Sequence, residues 1–87
     1  MTGTERTDAL ALVALYDERI ALTKAMAEHP RPTGVMADRA LAKARELEAA
    51  CEAFRRRYYP RRHRVIVGLG IVMTVSRSGR SITTVLA

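Results

Sequence analysis

The spacing of apolar residues changes once along the chain, close to residue 60. Before that point, apolar residues recur every three or four positions, which predicts helices. After it, apolar residues alternate with small or polar ones, which predicts strands. The pattern therefore predicts an α+β fold, with an antiparallel two-helix hairpin packed on a C-terminal β-hairpin. We expect residues 1–87 to form one domain.

The first predicted helix covers residues 4–29. Thr4 or Thr7 can cap its start, because a threonine hydroxyl accepts hydrogen bonds from backbone N–H groups that have no partner within the helix. Its apolar residues make one broad stripe, which needs two partners such as a second helix and a sheet. The segment 29–34 contains two prolines, which end the helix and favour a chain reversal.

The second predicted helix covers residues 34–59, with Thr33 as its cap. Its apolar residues repeat at alternating intervals of three and four, which is typical of a seam between two helices. The seam consists of Ala37, Ala40, Ala44, Leu47, Cys51, Phe54 and Tyr58. Because the two helices have similar lengths, we expect them to pair side by side along an antiparallel hairpin.

Two strands are predicted, one over residues 64–76 and one over residues 81–86. In the first, the odd-numbered positions from 65 to 75 are all apolar and should share one face. Residues 77–80, with Ser78-Gly79 at the centre, should form the turn between the strands. That turn would pair Ile71 with Leu86, Val72 with Val85, Met73 with Thr84, Thr74 with Thr83, and Val75 with Ile82.

In this arrangement the beginning of the long strand has no neighbouring strand in its own chain. An unpaired apolar strand edge favours pairing with another chain. The sequence therefore predicts a homodimer or higher oligomer, with the sheet extended across the interface. The predicted interface consists of Val65, Ile66, Val67, Gly68 and Leu69.

Charge is divided unequally between the two halves of the chain. The 87 residues have a net charge of +6, and residues 55–87 contain eight arginines and no acidic residue. Six of these arginines lie within residues 55–64. Guanidinium groups are always charged and bind phosphate well, so we expect a non-catalytic module that contacts nucleic-acid phosphates. The expected contacts are Arg55, Arg56, Arg57, Tyr59, Arg61, Arg62 and Arg64, with Arg77 and Arg80 as a second patch.

Two other interpretations of the same residues remain open. Arg55, Arg56 and Arg57 are also suitable as solvated cations at a helix C-terminus, where the helix dipole stabilises positive charge. The chain is alternatively a protein-binding or structural subunit, such as an inhibitor or a component of a viral particle. Such a subunit would assemble through the strand edge, with its arginines facing acidic neighbours.

The sequence offers little for catalysis or cofactor binding. Cys51 is the single cysteine and occupies a seam position, and His29 and His63 lie far apart without other metal ligands at suitable spacing. Gly68-Leu69-Gly70 lacks the third glycine and following helix of a dinucleotide-binding motif. We therefore expect no metal, no cofactor, no small-molecule substrate and no enzymatic activity.

Residues 12–22, followed by His29-Pro30-Arg31-Pro32, resemble the first helix and loop of the all-helical chorismate mutases. That fold requires a third helix, and this chain has a strand pattern in the corresponding region. The resemblance therefore does not change the expected fold or function.

The expected location is the reducing cytoplasm, because the chain has one cysteine and its first residues lack the apolar core of a signal peptide. Residues 65–76 form an uncharged stretch of twelve residues, whereas a membrane-spanning helix needs about 20. A membrane partner is therefore not expected.

Overall fold

The chain forms a helical hairpin followed by a small antiparallel sheet. The computed structural model describes residues 3–61, 63–76 and 82–86. The helices are α1 (Gly3–Glu28) and α2 (Gly34–Tyr58), and the strands are β1 (His63–Gly68), β2 (Ile71–Ser76) and β3 (Ile82–Leu86). The predicted helical hairpin and the α+β class are confirmed.

Both helices begin and end within one residue of their predicted bounds. The predicted cap of α2 is present, with the Thr33 hydroxyl accepting a hydrogen bond from the Met36 backbone N–H at 3.3 Å. At the other end, the Tyr59 N–H donates to the Arg55 carbonyl at 2.7 Å, immediately before Pro60. The helices are antiparallel, because α1 residues near its start contact the end of α2, and Glu18 pairs with Lys43 at 2.8 Å.

The three strands lie in the order β1-β2-β3, and both neighbouring pairs are antiparallel. The predicted register between β2 and β3 is confirmed at all five positions, from Val75 opposite Ile82 to Ile71 opposite Leu86. The predicted turn at residues 77–80 lies outside the described residues.

The prediction of one long strand over residues 64–76 is wrong. The chain turns at Leu69 and Gly70, so that Val67 lies opposite Val72 and Val65 opposite Thr74. Gly70 has a φ of +66°. This is a left-handed conformation that residues with a Cβ atom rarely adopt. The pattern did not reveal the turn, because a two-residue connection continues the alternation of apolar and small residues.

This turn also corrects two further predictions. Residues 65–68 do have a neighbouring strand in their own chain, namely β2, so the absence of such a partner no longer argues for a dimer. The prediction that the odd-numbered positions from 65 to 75 share one face is also wrong. The inward-facing positions are odd in β1 but even in β2, where Val72 is completely buried and Thr74 is 3% exposed. The odd residues of β2 therefore do not continue the inner face of β1. Among the described strands, β1 has a neighbour on one side only, so it is still an edge strand.

The hydrophobic core lies where α1 begins, α2 ends and the sheet begins. Its buried residues are Ala9, Leu12, Val13, Phe54 and Val72. On the predicted seam of α2, Leu47 and Phe54 are buried, whereas Ala37 is exposed.

The molecule is elongated and measures 45 × 22 × 20 Å. Its helices contain 26 and 25 residues, whereas β1 and β2 contain six each. Given the rise per residue of each element, the helices are about twice as long as these strands. The far half of the helical hairpin therefore extends past the sheet.

Candidate functional site

The arginine-rich segment lies at a corner of the molecule, between the end of α2 and the start of β1. Arg55, Arg56 and Arg57 occupy the last turn of α2, where the carbonyl end of the helix dipole favours cations. Pro60 prevents continuation of the helix, and the chain enters β1 at His63. We call residues 55–64, together with the carboxylates that contact them, the arginine corner.

Glu52 binds two of the three helical arginines. Its carboxylate accepts hydrogen bonds from Arg55 Nε at 3.0 Å, Arg55 Nη2 at 2.7 Å and Arg56 Nε at 3.1 Å. The hydrogen bonds from Arg55 are the largest cause that lowers the pKa of Glu52 from 4.5 to about 2. The same carboxylate raises the pKa of Arg55. One negative charge is therefore shared between two guanidinium groups.

The remaining contacts join the end of α2 to the start of α1. Asp8 accepts hydrogen bonds from Arg57 Nη1 at 3.0 Å and from the Tyr58 hydroxyl. Glu5, which is 8% exposed, accepts one from the Tyr59 hydroxyl. The pKa of Tyr58 is raised, because partial burial disfavours the phenolate and because the hydroxyl donates to Asp8.

The sequence predicts Tyr59 as a nucleic-acid contact beside the arginines. In the structure its ring is half-buried, with its centroid 6.3 Å from that of Phe54, and it packs against the core. Its position off the seam did not reveal this role, because the chain has already left the helix at Tyr59 and turns the ring inward. The Tyr59 ring and hydroxyl therefore both make contacts within the molecule.

The other predicted contacts have different positions. Arg61 is exposed in the turn before β1, and Arg64 is exposed on β1. The Arg56 side chain is 74% exposed despite its contact with Glu52. Arg62, Arg77 and Arg80 lie outside the described residues, so the predicted second patch is not described. The structure brings Arg55 and Arg64 together along one groove, whereas Arg57 faces Asp8 of α1.

Two neighbouring grooves lie between the helices and β1. The larger, about 690 Å³, is lined by α2 residues and by Arg64 and Val65. The smaller, about 410 Å³, is lined by residues of both helices and by Val65, Ile66 and Val67. Glu48, Cys51 and Val65 line both, so the two grooves adjoin, and we call them together the β1 groove.

Cys51 is half-buried and lines both parts of the β1 groove. Partial burial raises its pKa, and the nearby negative charge of Glu48 raises it further. Such a cysteine is predominantly protonated near neutral pH, which is the opposite of what a nucleophilic thiolate needs. In the described part of the chain, no group of three His, Cys, Asp or Glu side chains is arranged to hold a metal ion.

One partner of the arginines can be predicted from the sequence, and the other carboxylates at the corner cannot. Glu52 lies three and four residues before Arg55 and Arg56. Helical side chains at this spacing meet, so this contact was readable from the sequence. Glu5 lies 54 residues before its partner Tyr59. Asp8 lies 49 and 50 residues before its partners Arg57 and Tyr58. These contacts form only when the two helices pack as a hairpin. No local pattern indicates them.

Comparisons of this chain with protein-family models, with curated proteins and with solved structures find no match. Among the helices of the described residues, none is long and apolar enough to cross a membrane.

Proposed function

We propose that this protein is a small, non-catalytic binding module that contacts nucleic-acid phosphates through its arginine corner. The observation that supports this proposal is the excess of cations at the corner. Among the described residues, five arginines of the segment 55–64 lie there, against three carboxylates from Glu5, Asp8 and Glu52. Within residues 55–87 no acidic residue is available to reduce that excess.

The internal ion pairs reduce the positive charge that the arginine corner offers to phosphates, but they do not cancel it. Ion pairs between exposed side chains contribute about 0–1 kcal/mol, because water screens them and ordering two long side chains costs entropy. The Arg56 and Arg57 side chains are 74% and 60% exposed in their pairs. Phosphate oxygens can therefore compete for these guanidinium groups, with which they form charge-assisted and often bidentate hydrogen bonds.

The proposal also defines the kind of recognition expected. Contacts to phosphates position a protein on nucleic acid but do not read its sequence. Each neutralised phosphate releases counterions, so binding should weaken steeply as salt increases. We expect little preference among sequences and about 40-fold weaker binding at 200 mM than at 50 mM salt if about three phosphates of a duplex are contacted.

The test is a fluorescence titration of labelled 20-base-pair duplexes of DNA and RNA at both salt concentrations. The double variant Arg61→Glu and Arg64→Glu should weaken binding by more than tenfold and flatten the salt dependence. The double variant Arg31→Glu and Arg39→Glu is the matched control, since it makes the same change in net charge at the opposite end of the helical hairpin. Equal affinity in both variants, or binding that does not respond to salt, would contradict the proposal.

A second candidate function is assembly with another protein chain through the edge of the sheet. It is favoured by the position of β1, which pairs with β2 on one side and is an edge strand among the described strands. The predicted homodimer through Val65 to Leu69 is one form of this assembly. An inhibitor or a subunit of a larger particle would be others.

A further inference from the structure

The β1 groove follows the strand's edge. Only alternate residues of a strand point to the same face, so a groove over one face would be lined by every second residue. The smaller part of the β1 groove is instead lined by three consecutive residues, Val65, Ile66 and Val67. Arg64 extends the same series into the larger part. The groove therefore opens along the edge of β1.

Backbone hydrogen-bonding groups face outward along this edge. In an antiparallel strand, the N–H and C=O groups of alternate residues point to opposite sides. In the described sheet β1 has β2 on one side, so every second residue of β1 directs its N–H and C=O away from the sheet. Such an edge can accept a further strand, which gains main-chain hydrogen bonds from it.

The side chains that line the groove combine an apolar base with a cationic margin. Leu47, Val65 and Val67 provide the apolar surface. The charged lining residues are four arginines and two glutamates, namely Arg19, Arg45, Arg55, Arg64, Glu48 and Glu52. The margin thus has more positive than negative charge, although Arg55 is hydrogen-bonded to Glu52.

We infer that the β1 groove binds an extended, acidic segment of a partner protein, which adds to β1 as a fourth strand. The apolar side chains of such a segment would contact the base of the groove, and its carboxylates would face the arginines. A second copy of this chain fits less well, because it would bring another segment of six arginines, residues 55–64, to the same edge. This inference rests on the second candidate function, and its site shares Arg55 and Arg64 with the arginine corner.

The probes are two labelled octapeptides, one of alternating valine and glutamate and one of alternating valine and lysine. Fluorescence anisotropy should show at least about tenfold tighter binding of the glutamate peptide, because charge complementarity determines which strand is accepted. Methylation of the backbone nitrogens on one edge of that peptide should abolish binding, since it removes the donors needed for strand pairing while leaving the side chains unchanged.

Hydrogen exchange measured by NMR locates the bound peptide. The glutamate peptide should slow exchange of the outward-facing amides within residues 64–67, and amides of the far half of the helical hairpin should not change. Slow exchange of the outward-facing amides before any peptide is added, together with a dimeric mass by light scattering, would instead assign the edge to a second copy and overturn the inference.

Arg45→Glu tests the cationic margin, because Arg45 is exposed, lines the groove and lies outside the core. It should weaken binding of the glutamate peptide by about tenfold. Arg39→Glu is the matched control on the same helix and should change affinity less than twofold. Both variants should retain the wild-type circular dichroism spectrum.

Equal binding of the two peptides would overturn the inference, and so would protection of the same amides by a single-stranded oligonucleotide in place of the peptide. Neither result affects the duplex titration of the Arg61 and Arg64 variant, so the two proposals can fail separately.

Discussion

Glu52 reduces the positive charge that Arg55 and Arg56 present to solvent. Its two oxygens accept three hydrogen bonds, from Arg55 and Arg56. A count of charged residues treats these arginines as independent cations, whereas the structure gives them one shared counter-charge. The carboxylate also occupies donors of both guanidinium groups, so a phosphate that binds through those donors must replace its hydrogen bonds.

The lowered pKa of Glu52 predicts a specific dependence of stability on pH. The pKa falls from 4.5 to about 2 on folding. The contribution of the ionised carboxylate is therefore present above about pH 4.5 and is lost as the pH falls towards 2. In urea unfolding, wild-type protein should be more stable than Glu52→Gln at pH 7, and this difference should shrink as the pH falls from 4.5 through about 2.

Asp17→Asn is the control for this experiment, because Asp17 is an exposed acidic residue on the other helix, α1. Its stability relative to the wild type at each pH is the reference against which the effect of Glu52→Gln is read. An NMR titration of the Glu52 carboxyl carbon checks the cause directly, and a midpoint near 4.5 would contradict the proposed hydrogen bonding.

Among the secondary structure elements, the hairpin between β1 and β2 determines which residues of the sheet face the helices. Its connection consists of Leu69, which is 76% exposed, and Gly70 at φ +66°. Because the connection has two residues, Val67 and Val72 become neighbours on the inner face. The same residues in one continuous strand would place Val72 on the outer face.

Gly70→Ala should therefore destabilise the hairpin. An alanine in the left-handed region costs about 1–2 kcal/mol, because its Cβ approaches the following carbonyl oxygen. The expected loss in the free energy of unfolding is of this size, measured by urea titration.

Gly34→Ala is the matched control for Gly70→Ala, since a Cβ at Gly34 meets nothing within 4 Å. Substitutions at such open surface sites usually change the free energy of unfolding by about 0.5 kcal/mol or less, and we expect the same here. Equal effects of the two substitutions would show that Gly70 is not constrained.

At the scale of the whole molecule, one small core holds the helices to the sheet. Phe54 is 5% exposed and lies in the same buried cluster as Val13 of α1 and Val72 of β2. The carboxylate contacts from Glu5 and Asp8 close the same end of the molecule. The far half of the helical hairpin contributes little to this core, so stability should depend on the end where the sheet lies.

Phe54→Ala should lower the free energy of unfolding by about 3–5 kcal/mol, because it leaves a cavity in this core. That loss is a large part of the about 5–15 kcal/mol typical of a small domain. Urea unfolding followed by circular dichroism measures it, and hydrogen exchange should show that helical and strand amides lose protection together.

The control for Phe54→Ala is Leu41→Ala on the same helix, because Leu41 is 51% exposed. Truncating a side chain outside the core should cost less than about 1 kcal/mol. Loss of protection confined to α2 in the Phe54 variant would contradict a shared core.

The sequence alone determined the two helices, the cap at Thr33, the contact available to Glu52 and the register of β2 with β3. Each of these depends on residues that are close in sequence or on one strand's alternation, so local physical chemistry specifies them. Only the tertiary structure decided the turn at Leu69 and Gly70 and the inward position of Tyr59.

The same is true of the contacts made by Asp8 and Glu5. The apolar pattern is unchanged by a two-residue turn, and carboxylates 49 to 54 residues away approach the end of α2 only after the helices have packed. For this reason the sequence located the arginine corner, whereas the folded chain determined how much of its charge is already balanced and left the edge of β1 beside a groove.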